Sequence, residues 1–213
     1  MTILEQIAEK LRNGEASEVA ELVQKGLDEG LGWEDIMNNG LFAGMKVVGK
    51  LFKEEDIFVP EVLMAAKAMD AGSKVLEPLI ASDGSGERHG KVVLATVKGD
   101  VHNLGKNLVN VMLRGAGFEV TDLGENVPAE RIIDAVVSEK AQLVGMSALL
   151  TTTMPYMRTV IEALSEAGLE GQVKTIIGGA CVTQDYADEI GADGYADNAG
   201  AAVDKAKELL ASK

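Results

Sequence analysis

One cysteine, two histidines and a shortage of basic residues exclude several classes of protein at once. With Cys181 alone, no internal disulfide can form. With only His89 and His102, a metal site built from several histidines is out of reach. Lys and Arg number 20 against 34 Asp and Glu, a net charge of -14. That balance opposes general attraction to nucleic acid or to an anionic membrane, which needs clustered cations. No apolar run approaches the ~20 residues of a membrane span. The amino terminus carries Thr2 and Glu5 in capping-box spacing and then mixed charges, unlike a secretion signal. Hydrophobic residues make up 46% of the chain, enough for a packed core. The composition predicts an acidic, soluble, cytoplasmic protein with neither nucleic acid nor membrane as partner.

Two rhythms divide the sequence. From residue 3 to about 80 the spacing is helical. Ile3, Leu4, Ile7, Ala8 and Leu11 form one stripe, ended by Asn13-Gly14. Val19, Leu22, Val23 and Leu27 form a second, closed by Gly30 and Gly32. Met37, Leu41, Met45, Val48 and Phe52 form a third. A fourth helix starts at Pro60, whose missing N–H is harmless there, and carries Val62, Ala65, Met69, Gly72 and Leu76. Four short helices suggest a small bundle. Residues 81–90 are polar and glycine-rich and read as a linker. Beyond them strands are expected at 91–97, 118–123, 143–147, 173–178 and 192–195, alternating with helices near 103–115, 128–140, 154–167, 183–190 and 199–211. Such alternation means a parallel sheet covered by helices on both faces. The expected fold is α/β: a four-helix bundle over residues 1–85, then a flavodoxin-like Rossmann domain with a five-stranded parallel sheet over 86–213.

The residues that carry chemistry gather where such sheets bind ligands, at the carboxyl ends of the strands. Gly99-Asp100-Val101-His102-Asn103-Leu104-Gly105 follows the first strand. Asp100, two residues before His102, is placed to accept from one ring nitrogen and leave the other free for a metal. A lone imidazole backed by a carboxylate suits a metal whose other ligands come with a cofactor. Ser147-Ala148-Leu149-Leu150-Thr151-Thr152-Thr153 puts hydroxyls at the end of the third strand, Gly178-Gly179-Ala180 bare backbone at the end of the fourth, and Asp197-Asn198 closes the fifth. Together they would line a slot where backbone lies close to a ligand. Each loop also has a plainer explanation as a cap, a turn or a helix start.

Other readings of the same residues fit less well. Gly99 to Asn107 misses a phosphate-binding P-loop, because its glycines are one residue too far apart and Asn107 stands where Ser or Thr would hold magnesium. Gly115-Ala116-Gly117 lies between a helix and the next strand, the wrong side of the unit for a dinucleotide fingerprint, and reads as a turn. A flavodoxin-like electron carrier would need a hydroxyl-rich phosphate loop where Lys98-Gly99-Asp100-Val101-His102 stands.

Taken in order, these elements resemble the corrinoid (cobalamin-binding) proteins of methyltransferase systems and the cobalamin-binding module of methionine synthase. The resemblance spans nearly the whole chain. It rests on Asp100, His102 and Gly105; on Ser147, Leu149 and Thr151; on Gly178-Gly179; and, in the helical half, on Gly44-Met45-Lys46-Val47-Val48-Gly49-Lys50-Leu51-Phe52 and Phe58-Val59-Pro60-Glu61. It implies a cobalamin or related cobamide as cofactor, with its nucleotide tail in the slot and His102 as lower ligand to cobalt. Asp100 would orient the imidazole, and Thr153 would complete the relay, with Ser147 nearer the tail. Gly178 and Gly179 would admit the tail, and Ala180 and Asn198 would border it. Phe58 and Met64, with Leu63 or Met69, would stand near the methyl group, although a methionine there also suits plain core filling. The implied role is that of a methyl carrier, loaded on cobalt(I) by a donor-specific methyltransferase and unloaded from methyl-cobalt(III) by a second one acting on a thiol or tetrahydrofolate. A reductive activation protein would be a further partner. Protonation of the Asp100–His102 pair would tune the lower ligand. The alternative is a cobalamin-dependent sensor, which would need an output module; no basic helix-turn-helix-like segment is visible.

Overall fold

The structure, a computed structural model, describes residues 1–83 and 89–211. Its first elements are helices α1 (Ile3–Arg12) and α2 (Ala16–Asp28). Next come α3 (Trp33–Asp35), a π-helical stretch (Ile36–Phe42) and α4 (Ala43–Lys53), which run on from one another, and then α5 (Val59–Asp83). After them β1 (Lys91–Thr96), β2 (Glu119–Asp122), β3 (Leu143–Ser147), β4 (Lys174–Gly178) and β5 (Gly194–Ala196) alternate with α6 (Leu104–Gly115), α7 (Ala129–Glu139), α8 (Pro155–Glu166), α9 (Gln184–Ile190) and α10 (Ala199–Ala211). Two compact units result: Met1–Glu87 with Gly115–Gly117, and Arg88–Arg114 with Phe118–Lys213.

In the helical unit the stripes meet in one core: Ile7 and Leu11 of α1, Val19 and Val23 of α2, Leu41, Met45 and Val48, and Val62, Ala65, Met69 and Leu76 of α5 are buried. Close approach needs small residues. A Cβ on Gly40 would stand 3.1 Å from Ile7 Cγ2, and one on Gly72 would stand 2.8 Å from Leu41 Cδ2. The capping box at α1 forms as the sequence indicates: the Glu5 N–H donates to Thr2 Oγ1 (3.2 Å) and the Thr2 N–H to Glu5 Oε2 (2.7 Å). Thr2→Ala is therefore expected to lower stability by about 1 kcal/mol in urea denaturation.

Three expectations are corrected here. The third stripe is carried by Ile36, not Met37, which is only half-buried. A π turn holds about one residue more than an α turn, so stepping back from Leu41 lands on Ile36. The helices are not four short ones: the stretch from Trp33 to Lys53 is interrupted by the π segment, and α5 runs for 25 residues with Pro78 inside it. Pro78 costs one ladder hydrogen bond. Finally, α5 continues to Asp83, into the stretch read as linker; the rest of that stretch up to residue 88 lies outside the described residues.

The second unit is the expected five-stranded parallel sheet, in the order β2-β1-β3-β4-β5. Side chains alternate between its faces. One face presents Val93, Ala95, Val144, Met146 and Ile177, packed on Ile132 and Val136 of α7, Met157, Val160 and Leu164 of α8, and Ala187 and Ile190 of α9. Helix α10 packs on β4 and β5. Chain direction reverses its order between β1 and β3, which opens a crevice at their carboxyl ends.

Candidate functional site: a carboxylate-backed histidine at the switch point

The loop from β1 to α6 emerges at that crevice. Asp100 has no exposed surface, and it collects five donors. Oδ1 accepts the His102 backbone N–H (3.0 Å) and faces His102 Nδ1 (2.8 Å). Oδ2 accepts the N–H groups of Leu149 (2.8 Å) and Leu150 (3.3 Å) and the Thr153 hydroxyl (2.7 Å). The Thr153 oxygen also lies 2.9 Å from the Leu150 carbonyl. Its single proton goes to the charged carboxylate, the stronger acceptor. Burial by itself would raise the Asp100 pKa, but these donors outweigh it, the His102 N–H and the Thr153 hydroxyl first, and hold the carboxyl well below its ordinary value.

A carboxylate so fixed determines the ring beside it. Nδ1 of His102 carries the proton it donates to Asp100, so Nε2 is left as the basic nitrogen. The His102 side chain is 47% exposed while its partner is fully covered. The imidazole is thus held from behind and open in front. Among the described residues, no group of three or more His, Cys, Asp or Glu could cage a metal ion. His102 suits a metal that brings most of its own ligands.

Large apolar side chains are exposed on the loops that carry and back this ring. Val101, Leu104, Leu149 and Leu150 expose large parts of their side chains, as does Tyr156. A Cβ on Gly105 would meet nothing within 4 Å, so the protein itself does not require glycine there. On the sheet face that bears Thr96, the last row across β1, β3, β4 and β5 is Thr96, Ser147, Gly178 and Ala196. Every member is small. The row one step in, Leu94, Gly145, Ile176 and Gly194, is partly filled, since Leu94 Cδ2 lies 2.3 Å from where a Gly145 Cβ would be. The carboxyl edge of the sheet thus ends in small side chains, with the buried Leu94 and Ile176 in the row beneath them.

The remaining sequence candidates are placed as follows. Gly99 adopts a φ of 84°, which favours glycine, and donates its N–H to Asn126 Oδ1 (2.8 Å). Asn103 donates from Nδ2 to Glu125 Oε2 (2.9 Å). Thr151 is exposed in the turn before Thr153, and Ala180 is exposed beyond β4. Gly178 and Gly179 have a reason inside the protein: a Cβ on Gly178 would stand 2.7 Å from the Ala196 carbonyl oxygen, and one on Gly179 1.9 Å from that of Ala148. Asn198 uses its side chain to cap α10, accepting the Ala201 N–H at 2.8 Å. In the helical unit Phe58 and Met64 are 66% and 51% exposed, available to a ligand, whereas Met69 is core. Sequence reasoning missed Thr96, whose hydroxyl donates to the His102 carbonyl (3.3 Å), and the turn residues Glu125 and Asn126. The adjacency of β2 to β1 was the signal that would have found the turn.

A doubly wound sheet with one carboxylate-backed imidazole, exposed apolar side chains beside it and small residues along its carboxyl edge is suited to a metal cofactor that brings most of its own ligands. A model of the B12 binding domain matches residues 90–204, and a second B12 binding domain model matches residues 3–77. The chain belongs to the B12-binding family of corrinoid proteins, and its cofactor is a cobalt corrinoid. It is 43% identical over 212 residues to a corrinoid protein of Desulfitobacterium hafniense strain Y51, covering 99% of this chain and 98% of that one. It is 50% identical over 177 residues to dimethylamine corrinoid protein 1 of Methanosarcina acetivorans, covering 83% of each. The crystal structure of the methanol:cobalamin methyltransferase complex MtaBC from Methanosarcina barkeri matches with a TM-score of 0.90 at 34% identity, over 99% of this chain and 80% of that one. No helix among the described residues is long and apolar enough to cross a membrane.

Proposed function

We propose that this protein is a methyl carrier: it receives a methyl group from a donor-specific methyltransferase and presents it to a second methyltransferase acting on a thiol or tetrahydrofolate. A reductive activation protein is the third partner in this reading. The observation that carries it is the His102 ring, fixed at Nδ1 by a buried carboxylate and open at Nε2. The residues fit a corrinoid. His102 would ligate the cobalt, and Val101, Leu104, Leu149 and Leu150 would offer apolar surface to the macrocycle. In this reading the tail lies at the carboxyl edge of the sheet beside Ser147 and Gly178, which are only half-buried. The bound cobalt supplies a centre that takes up and gives back a methyl group. The chain's own residues hold and tune it. Asp100 keeps the proton on Nδ1 and makes Nε2 a better donor, and Thr153 holds Asp100 in turn. Phe58 and Met64 are assigned to the methyl side on the strength of the resemblance and of their exposure. The relatives named for dimethylamine and methanol systems support small methylated amines or alcohols as the donor class.

The test is a two-stage transfer. Protein loaded with hydroxocobalamin is reduced with titanium(III) citrate and methylated with 13C-methyl iodide, then mixed with an acceptor methyltransferase and either a thiol or tetrahydrofolate. The 13C label is expected to leave the protein for one of the acceptors. Retention of the label with both would contradict the carrier role.

A further inference from the structure

We propose that Asn126 is a positioning residue for His102, and that the segment Asp122–Asn126, from the last residue of β2 into the turn before α7, is a second clamp on the histidine loop. The proposal rests on the reading of His102 as lower ligand and adds a residue outside the Asp100–Thr153 relay. Four residues of the loop and the first turn of α6 each hold this segment. Gly99 donates its N–H to Asn126 Oδ1 at 2.8 Å. The Asp100 carbonyl accepts the Asn126 N–H at 2.9 Å. Asn103 Nδ2 donates to Glu125 Oε2 at 2.9 Å. Lys106, almost fully buried, places Nζ 2.6 Å from Asp122 Oδ1.

Asp100 is therefore held at both ends. Its carboxylate is drawn to the β3–α8 loop, by Leu149, Leu150 and Thr153, and its carbonyl to the β2–α7 turn, by Asn126. The strand order makes this opposition available, because β1 lies between β2 and β3. The Asp100 N–H donates to the Val97 carbonyl (3.1 Å) and the Thr96 hydroxyl to the His102 carbonyl (3.3 Å), which leaves the Asp100 carbonyl, and the peptide that leads on to His102, to be fixed by Asn126. Its φ of 53° is left-handed, a conformation that asparagine tolerates better than most residues. In that conformation one residue aims both an N–H at Asp100 and a side-chain carbonyl at Gly99. Alanine would lose the second contact and strain the first. Glycine would keep the backbone and lose the side chain. Aspartate would keep both.

The test uses the full chain, labelled with 15N-histidine and loaded with hydroxocobalamin. Electron paramagnetic resonance of the cobalt(II) form first establishes whether histidine is bound. In the cobalt(III) form, cyanide is then titrated and the visible spectrum followed to the dicyano species, in which cyanide has displaced the lower ligand. In Asn126→Ala the half-converting cyanide concentration is expected to fall about tenfold, with corrinoid retention unchanged and Asn126→Asp returning most of the loss. An Asn126→Ala protein that titrates like the wild type overturns the proposal. Should that variant fail to fold by circular dichroism, Asn126→Gly decides between the same two outcomes, with a smaller expected fall. A wild-type protein without histidine on cobalt overturns the lower-ligand reading instead, and the two failures are distinct.

Discussion

Replacing Asp100 by alanine is expected to destabilise the corrinoid-free protein by on the order of 3 kcal/mol and to weaken histidine ligation in the loaded form. The carboxylate is fully buried and is the acceptor for the N–H groups of His102, Leu149 and Leu150, the Thr153 hydroxyl and the imidazole. In the alanine variant the Thr153 hydroxyl turns to the Leu150 carbonyl, 2.9 Å away, while the Leu149 and Leu150 amides lose the carboxylate they donate to and the groups near the exposed ring turn to water. The pH dependence has a definite sign. Because the donors hold the folded pKa below the ordinary value of 3.8, folding favours the charged form. The stabilisation is fully present above about pH 4 and is lost as pH falls through the depressed folded value. Urea denaturation of wild type and Asp100→Ala from neutral pH downward should show a constant gap that narrows only below about pH 4. A gap that narrows already near neutrality would place the responsible charge elsewhere.

Gly179→Ala carries the second large effect, a loss of about 3–5 kcal/mol. The added Cβ would lie 1.9 Å from the Ala148 carbonyl oxygen and 2.9 Å from its carbonyl carbon, and the residue has a φ of 129°. Backbone is a poor thing to displace: Ala148 lies between β3 and the Leu149 and Leu150 amides that hold Asp100. The strand end must shift, and the relay moves with it. Thermal denaturation should show the loss, and a variant that remains folded should also bind corrinoid more weakly. A variant with wild-type stability would mean that the β3 and β4 ends yield easily, contrary to the packing described above.

The sheet was legible because most of its strands are short apolar runs that alternate with helix-period segments, several of them closed by glycine, although β2 (Glu119–Asp122) is largely polar. The pairing of Asp100 with His102 was legible for another reason: a carboxylate two positions before a histidine in a strand-end loop is within reach of its ring nitrogen. The π segment was not, since periodicity assumes one repeat throughout, and the shift from Met37 to Ile36 follows only from packing against α1. Gly178 and Gly179 were recognised as sites of close approach, but the approaching atoms, the carbonyls of Ala196 and Ala148, belong to chain distant in sequence. Asn126 was invisible for the same reason. Its partners are 26 and 27 residues away, and nothing in Glu125-Asn126-Val127-Pro128 marks more than a turn.

The central proposal is one bond, from His102 Nε2 to cobalt. Electron paramagnetic resonance of the cobalt(II) protein, loaded with hydroxocobalamin and carrying 15N only in histidine, observes it directly. The spin of 15N splits each cobalt line into two where 14N gives three, so a doublet pattern is expected, and it should be absent in His102→Ala. A triplet pattern would mean that the cofactor's own base remains on cobalt, and an unsplit spectrum that no nitrogen is bound; either would contradict the assignment of His102.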